Sequence, residues 1–138
     1  STTKDIINTE TQLRGNWTVT DVSIQGATGT VAATVFDEAP HECYVGSQWN
    51  LIHNNNSGTY TLVGGGECPS GPNAIKWTIS EDGAYKYFNF KRVNNEKAKN
   101  VLTGYKMRIQ NVNDNTLTLV QDVSFEGKLI NIVYNLSR

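Results

Sequence analysis

Gly15-Asn16-Trp17 opens the first segment of this chain that reads as a strand, and the chain downstream keeps the same character. From there to Arg138 no stretch has convincing helical periodicity, and turn residues interrupt the pattern about every ten residues. A Gly-x-Trp at the head of an all-β chain of 138 residues points to one sheet closed on itself, with Trp17 plugging one end. Such a barrel has an interior, and what fills that interior is the functional question.

Outward from that stretch, the first strand runs near Trp17 to Ile24, and Gly26 and Gly29 break it. Val31 to Phe36 is apolar and β-branched, but Asp37-Glu38-Ala39-Pro40 follows at once. It reads either as a short strand or as part of a lid across a barrel mouth. Trp49 and Leu51 alternate with polar neighbours, Asn54 to Gly58 is a strong turn signal, and Tyr60 and Leu62 resume the alternation to make a hairpin. Gly64-Gly65-Gly66 ends that strand, and Pro69 to Asn73 reads as a loop. Ile75, Trp77 and Ile79 follow, with a turn at Glu81-Asp82-Gly83. Tyr85 to Val93 is apolar on both faces, so its register stays open, and Asn94 to Asn100 is a charged loop. Tyr105, Met107 and Ile109 form the next inward set before Asn113-Asp114-Asn115 turns the chain. Leu117, Leu119, Gln121, Val123 and Phe125 share a parity, Glu126-Gly127 makes a tight turn, and Ile130, Ile132, Tyr134 and Leu136 close the series.

Short connections force sequential antiparallel neighbours, and closing the sheet removes its two exposed edges. The expected fold is therefore all-β, an eight-stranded antiparallel up-and-down β-barrel, whose interior has room for side chains or one small ligand. A two-sheet sandwich needs longer crossovers than this chain contains. Residues 1–12 are polar and read as a tether or leader, with a helical turn across Ile6 to Leu13 as an option; residues 13–138 form the one domain.

The formal net charge is −1, which argues against a nucleic-acid or anionic-membrane surface. No apolar run approaches the roughly 20 residues that a spanning helix needs. The two cysteines, Cys43 and Cys68, lack companions at zinc-finger spacing. A metal or thiol site is one reading; a structural disulfide is the preferred one, worth roughly 3–4 kcal/mol on the chain-entropy model. A disulfide implies an oxidising compartment.

Gly15-Asn16-Trp17 also resembles the opening motif of lipocalins. Two further elements follow it in order: the block of Cys43, Ser47-Gln48-Trp49-Asn50-Leu51, Gly58-Thr59-Tyr60, Cys68 and Ile75-Lys76-Trp77, then Asn115-Thr116-Leu117-Thr118-Leu119 feeding the final hairpin. Together they resemble the lipocalin-like (calycin-like) domain of secreted lipoproteins of Bacteroidetes-type bacteria. That resemblance implies a barrel that carries a small, mainly apolar ligand. It implies a precursor anchored by a lipid on a cysteine just before Ser1, hence a periplasmic, outer-membrane or cell-surface location. It also implies a late basic residue packed across the opening Trp, for which Arg138 is the positional candidate. The second lipocalin signature, an Asp-containing loop, has no clean match.

Inward parity selects Trp49, Tyr60, Trp77, Tyr105, Met107, Gln121 and Tyr134 as the residues expected to line a ligand space. The competing reading is that they fill a closed core. Gln121 needs a partner if it faces inward, either a ligand or a neighbouring strand, and Asp21 raises the same question. His41 and His53 flank loops and read as solvated. No catalytic constellation, metal site or phosphate loop is apparent, and no cofactor is expected. Three Asn-x-Ser/Thr patterns, at Asn16, Asn55 and Asn135, carry no meaning for glycosylation in a bacterial chain.

The leading functional expectation is thus a non-enzymatic carrier of a small hydrophobic or amphipathic molecule. The alternative is a protein-interaction module, such as an inhibitor of a secreted hydrolase. Carriage needs an open apolar interior; if the inward side chains meet at the barrel axis and leave no room beyond a water or two, the carrier reading fails and the interaction module takes its place.

Overall fold

Alternation of apolar and polar residues is the organising force in this fold, since it leaves each strand one face to bury. The computed structural model describes residues 2–26, 34–36, 38–53, 55–93, 104–125 and 127–138. Expectations for Ser1, Gly29, Val31 to Ala33, Asp37, Asn54, Asn94 to Asn100 and Glu126 lie outside the described residues.

The described elements are a helix α1 (Thr2–Leu13) and strands β1 (Gly15–Gln25), β2 (Thr34–Val35), β3 (Ala39–Pro40), β4 (Gln48–Ile52), β5 (Ser57–Gly65), β6 (Cys68–Asp82), β7 (Tyr85–Arg92), β8 (Tyr105–Val112), β9 (Thr116–Phe125) and β10 (Lys128–Ser137). A 3₁₀ turn, His41–Tyr44, precedes β4. Strands β1 and β4 to β10 close an antiparallel barrel in the order β1-β10-β9-β8-β7-β6-β5-β4. β2 and β3 pair only with each other. The expected eight-stranded barrel is the observed one.

Several local differences have physical reasons. Pro69 to Asn73 lies within β6 rather than in a loop. That half of β6 pairs with β5 alone and the other half with β7, so the prolines sit where no second neighbour needs their N–H. In β7 the ambiguity resolves cleanly: Phe88 and Phe90 are buried, while Tyr87 and Tyr85 lie outside under Lys106 and Arg108 as cation–π partners. Asp21 is exposed, because β1 shifts register against β10 between Val19 and Asp21. His41 is buried, not solvated, and His53 is half-buried with Nε2 3.8 Å from Glu10.

The polar start of the chain is helical from Thr2, a turn earlier than Ile6. Its last turn buries Thr9 and Leu13, four residues apart on one helix face. Glu10 of that turn accepts a hydrogen bond from the Asn56 side-chain amide at the β4–β5 turn. The helix therefore docks at the end of the barrel where β1 begins and β10 finishes. The opposite end, where β7 stops and β8 starts, is the mouth.

Candidate functional site

The closed end is built around Trp17. Its ring is 1% exposed, and its Nε1 donates to the Leu13 carbonyl at 2.9 Å. The Arg138 guanidinium lies 4.0 Å from the ring centroid. Arg138 also donates to the carbonyls of Asp114, Gln12 and Arg14, so one side chain ties the end of β10 to the helix and the β8–β9 turn. Gly15 is required here: its φ is +118°, and a Cβ would lie 3.1 Å from Arg138 Nη1. The Gly-x-Trp spacing thus leaves a gap for the arginine above the indole.

The mouth is built differently. After β1 the chain does not go straight into β4. It sends a segment, of which residues 34–36 and 38–40 are described, into the barrel, and the 3₁₀ turn His41–Tyr44 follows it. Val35, Phe36, Ala39, Cys43 and Tyr44 are all buried. Phe36 lies at the centre of an aromatic cage: its ring centroid is 5.0 Å from Phe90, 5.4 Å from Tyr44 and Tyr105, 5.7 Å from Tyr134 and 6.4 Å from Trp49. Its backbone is left-handed, at φ 53°, which is uncommon for a bulky residue and costs on the order of 1–3 kcal/mol.

Beside Phe36 a polar network crosses from the segment to the wall. Glu38 Oε1 accepts from the Tyr44 hydroxyl at 2.6 Å and the Tyr60 hydroxyl at 2.8 Å. Arg92, at the end of β7, donates to the Tyr60 hydroxyl at 3.3 Å, the Tyr105 hydroxyl at 3.0 Å and the Phe36 carbonyl at 2.8 Å. Burial pushes the Tyr44 phenol well above its ordinary pKa, and the carboxylate of Glu38 adds to the effect. Tyr60 is raised for the same first reason, with Arg92 partly opposing it. Burial disfavours the Arg92 cation, but its hydrogen bond to Tyr60 and the charges of Tyr60, Tyr105 and Glu38 outweigh that and raise its pKa.

The 3₁₀ turn after the segment is held firmly. Cys43 and Cys68 form a disulfide with 5.4 Å between their Cα atoms, which settles the cysteine question. Ser47 returns two hydrogen bonds to the Tyr44 carbonyl, from its backbone N–H and its hydroxyl.

With the segment seated, an apolar cavity of about 20 Å³ remains along the axis, between Trp17 at its floor and Phe36 at its roof. It has room for about one water. The lipocalin-like domain model matches residues 13–119, the stretch that carries the plug tryptophan, the segment and most of the wall. The chain belongs to the lipocalin-like domain family. No curated protein and no solved structure matches it.

Within this lipocalin-like domain the residues expected to line one space are divided among three places. Trp49, Met107 and Tyr134 border the residual cavity. Tyr60 and Tyr105 belong to the Arg92 network at the mouth. Trp77 is buried in the wall and donates from Nε1 to the Ser57 carbonyl. Gln121 accepts from the Tyr134 hydroxyl at 2.9 Å, so its inward polar group is satisfied by the neighbouring strand. Tyr134 itself is raised in pKa by burial.

Sequence reasoning missed Phe36, Glu38, Tyr44 and Arg92. Arg92 had a usable signal, since it shares the parity of Phe88 and Phe90. The other three lie in the segment and in the 3₁₀ turn after it, where there is no periodicity to read. Among the described residues, no three of His, Cys, Asp and Glu gather where they could hold a metal.

Proposed function

We propose that this lipocalin-like domain is a non-enzymatic binding protein of an oxidising, extracytoplasmic compartment, and that its ligand space is the upper barrel now occupied by its own segment before the 3₁₀ turn, the one that carries Phe36 and Glu38. The observation that carries this is the identity of the filler. The inward side chains of the barrel strands leave a space at the mouth, and Phe36 from outside those strands occupies it. A wall that closed on itself would need no such insert. The strained φ of Phe36 and the part-buried Glu38–Tyr–Arg92 network are further costs that a permanent apolar core would avoid. The disulfide supports the compartment, and attachment through a lipid on the precursor remains part of the proposal. The molecule carried is small and amphipathic, matching an aromatic cage beside polar donors.

The filled interior favours a second reading, an interaction module whose core is simply shut. Phe36→Ala separates the two. Truncation should enlarge the cavity beyond 20 Å³ and produce saturable Nile red emission from folded protein. A variant that keeps the wild-type circular dichroism and binds no dye gives the decision to the interaction module. Native mass spectrometry of protein from its own source would then identify the cargo as a small adduct released on unfolding.

A further inference from the structure

The mouth network also indicates the chemistry of the ligand. We propose that Tyr60, Arg92 and Tyr44 form a carboxylate subsite, and that the ligand is a small carboxylic acid bearing a flat apolar group, mimicked here by the Glu38 carboxylate and the Phe36 ring. This rests on the reading of the segment that carries Phe36 and Glu38 as a displaceable occupant.

Two phenolic hydroxyls converge on a single oxygen of Glu38, at 2.6 and 2.8 Å. Behind Tyr60, Arg92 donates to its hydroxyl and so strengthens it as a donor toward the anion. Arg92 further binds the Phe36 carbonyl and the Tyr105 hydroxyl, and its guanidinium lies over the Tyr105 ring. Tyr60 and Arg92 belong to the wall, on β5 and β7. Tyr44 follows the segment but is held by the disulfide and by Ser47. Glu38 and Phe36 come only from the segment. When Phe36 and Glu38 leave, the wall keeps a half-buried cation and at least two phenol donors with no anion between them. Even a half-buried charge without a counter-charge is unfavourable, so the emptied site selects an anion. The vacated cage, flanked by Phe90, Tyr105 and Tyr134, takes a ring edge-on and face-on, as it now takes Phe36. The ligand and the segment then compete for one place, and the apparent affinity falls by the fraction of molecules that are closed.

The test measures binding of 3-phenylpropanoate and of its uncharged amide by titration calorimetry. The proteins are wild type, the double variant Phe36→Ala/Glu38→Ala, the same variant with Arg92→Gln, and Glu38→Gln alone. The double variant should bind the acid at least about tenfold tighter than wild type does. It should prefer the acid over the amide by about tenfold or more, and Arg92→Gln should erase that preference. Glu38→Gln keeps the ring and the shape of the segment. It should bind the acid more tightly than wild type but less tightly than the double variant, and it decides the matter if the double variant fails to fold. Equal binding of acid and amide to the opened barrel overturns the carboxylate subsite while leaving the displaceable segment standing. Folded variants that bind neither compound nor Nile red overturn both.

Discussion

Trp17 is held from below by the Leu13 carbonyl, from above by the Arg138 guanidinium, and from the side by the core. Removing the indole would take away a large buried surface, a hydrogen bond and the cation's partner together. Trp17→Ala should therefore lower unfolding stability by about 3–5 kcal/mol, measured by chemical denaturation. A loss under about 1 kcal/mol would mean that the ring does not close the barrel end. Residues of this kind were legible in the chain because their reason is local. Trp17 begins a strand, Gln121 shares a parity with leucines, and Arg138 stands where a late basic residue is wanted. Glu38 and Tyr44 had no such context. A carboxylate whose role is set by the hydroxyls that converge on it in the fold gives no signal until those partners are seen.

Strand elements were readable where one face meets the core and the other meets water. β4, β5 and the second half of β6 show that alternation plainly. The failures at this scale share one cause, which is that pairing, not pattern, set the structure. Pro69 and Pro72 became strand residues because β5 was available on one side only. The stretch read as a short strand or part of a lid is not among these failures: Thr34–Val35 is a short strand, and Phe36 after it is buried in the barrel. Gly58 shows how tight the pairing is. It lies buried in β5 opposite Leu51, although it reads as the end of a turn, and a Cβ there would collide with the Asn50 carbonyl oxygen. That atom belongs to backbone in the β1–β4–β5 ladder and cannot move away cheaply. Gly58→Ala should cost about 2 kcal/mol or more by thermal or denaturant unfolding. A substitution within about 0.5 kcal/mol of wild type would show that β4 and β5 are less closely apposed than described.

At the scale of the whole molecule, the barrel was legible because eight strands with mostly short links have few alternatives, whereas the occupancy of its interior depends on volumes that no pattern encodes. The interior also sets how the protein responds to alkali. Tyr44, Tyr60 and Tyr134 are fully or almost fully buried, and burial is the largest cause raising each phenol above its ordinary pKa of 10.0. Below pH 10 these phenols hold their protons in both the folded and the unfolded chain, so they add no pH dependence. Above pH 10 the unfolded chain releases protons that the folded chain keeps. The unfolded state then binds fewer protons, and stability falls as pH rises. The limiting slope is about 1.4 kcal/mol per pH unit for each tyrosine, or roughly 4 kcal/mol for the three together. Denaturant unfolding should therefore be nearly flat with respect to these groups from about pH 8 to about pH 10 and fall steeply beyond. Tyrosinate absorbance from the three should rise together with loss of the near-ultraviolet circular dichroism, not before it. Tyr134→Phe isolates one contributor, since burial is the sole cause of its shift. It should reduce the alkaline slope by about a third, at the expense of the hydrogen bond to Gln121, worth about 1 kcal/mol at every pH. If the three phenols ionised while the barrel stayed folded, solvent would be reaching the mouth freely. The closed form, with Phe36 seated in the barrel, would then not be the dominant state.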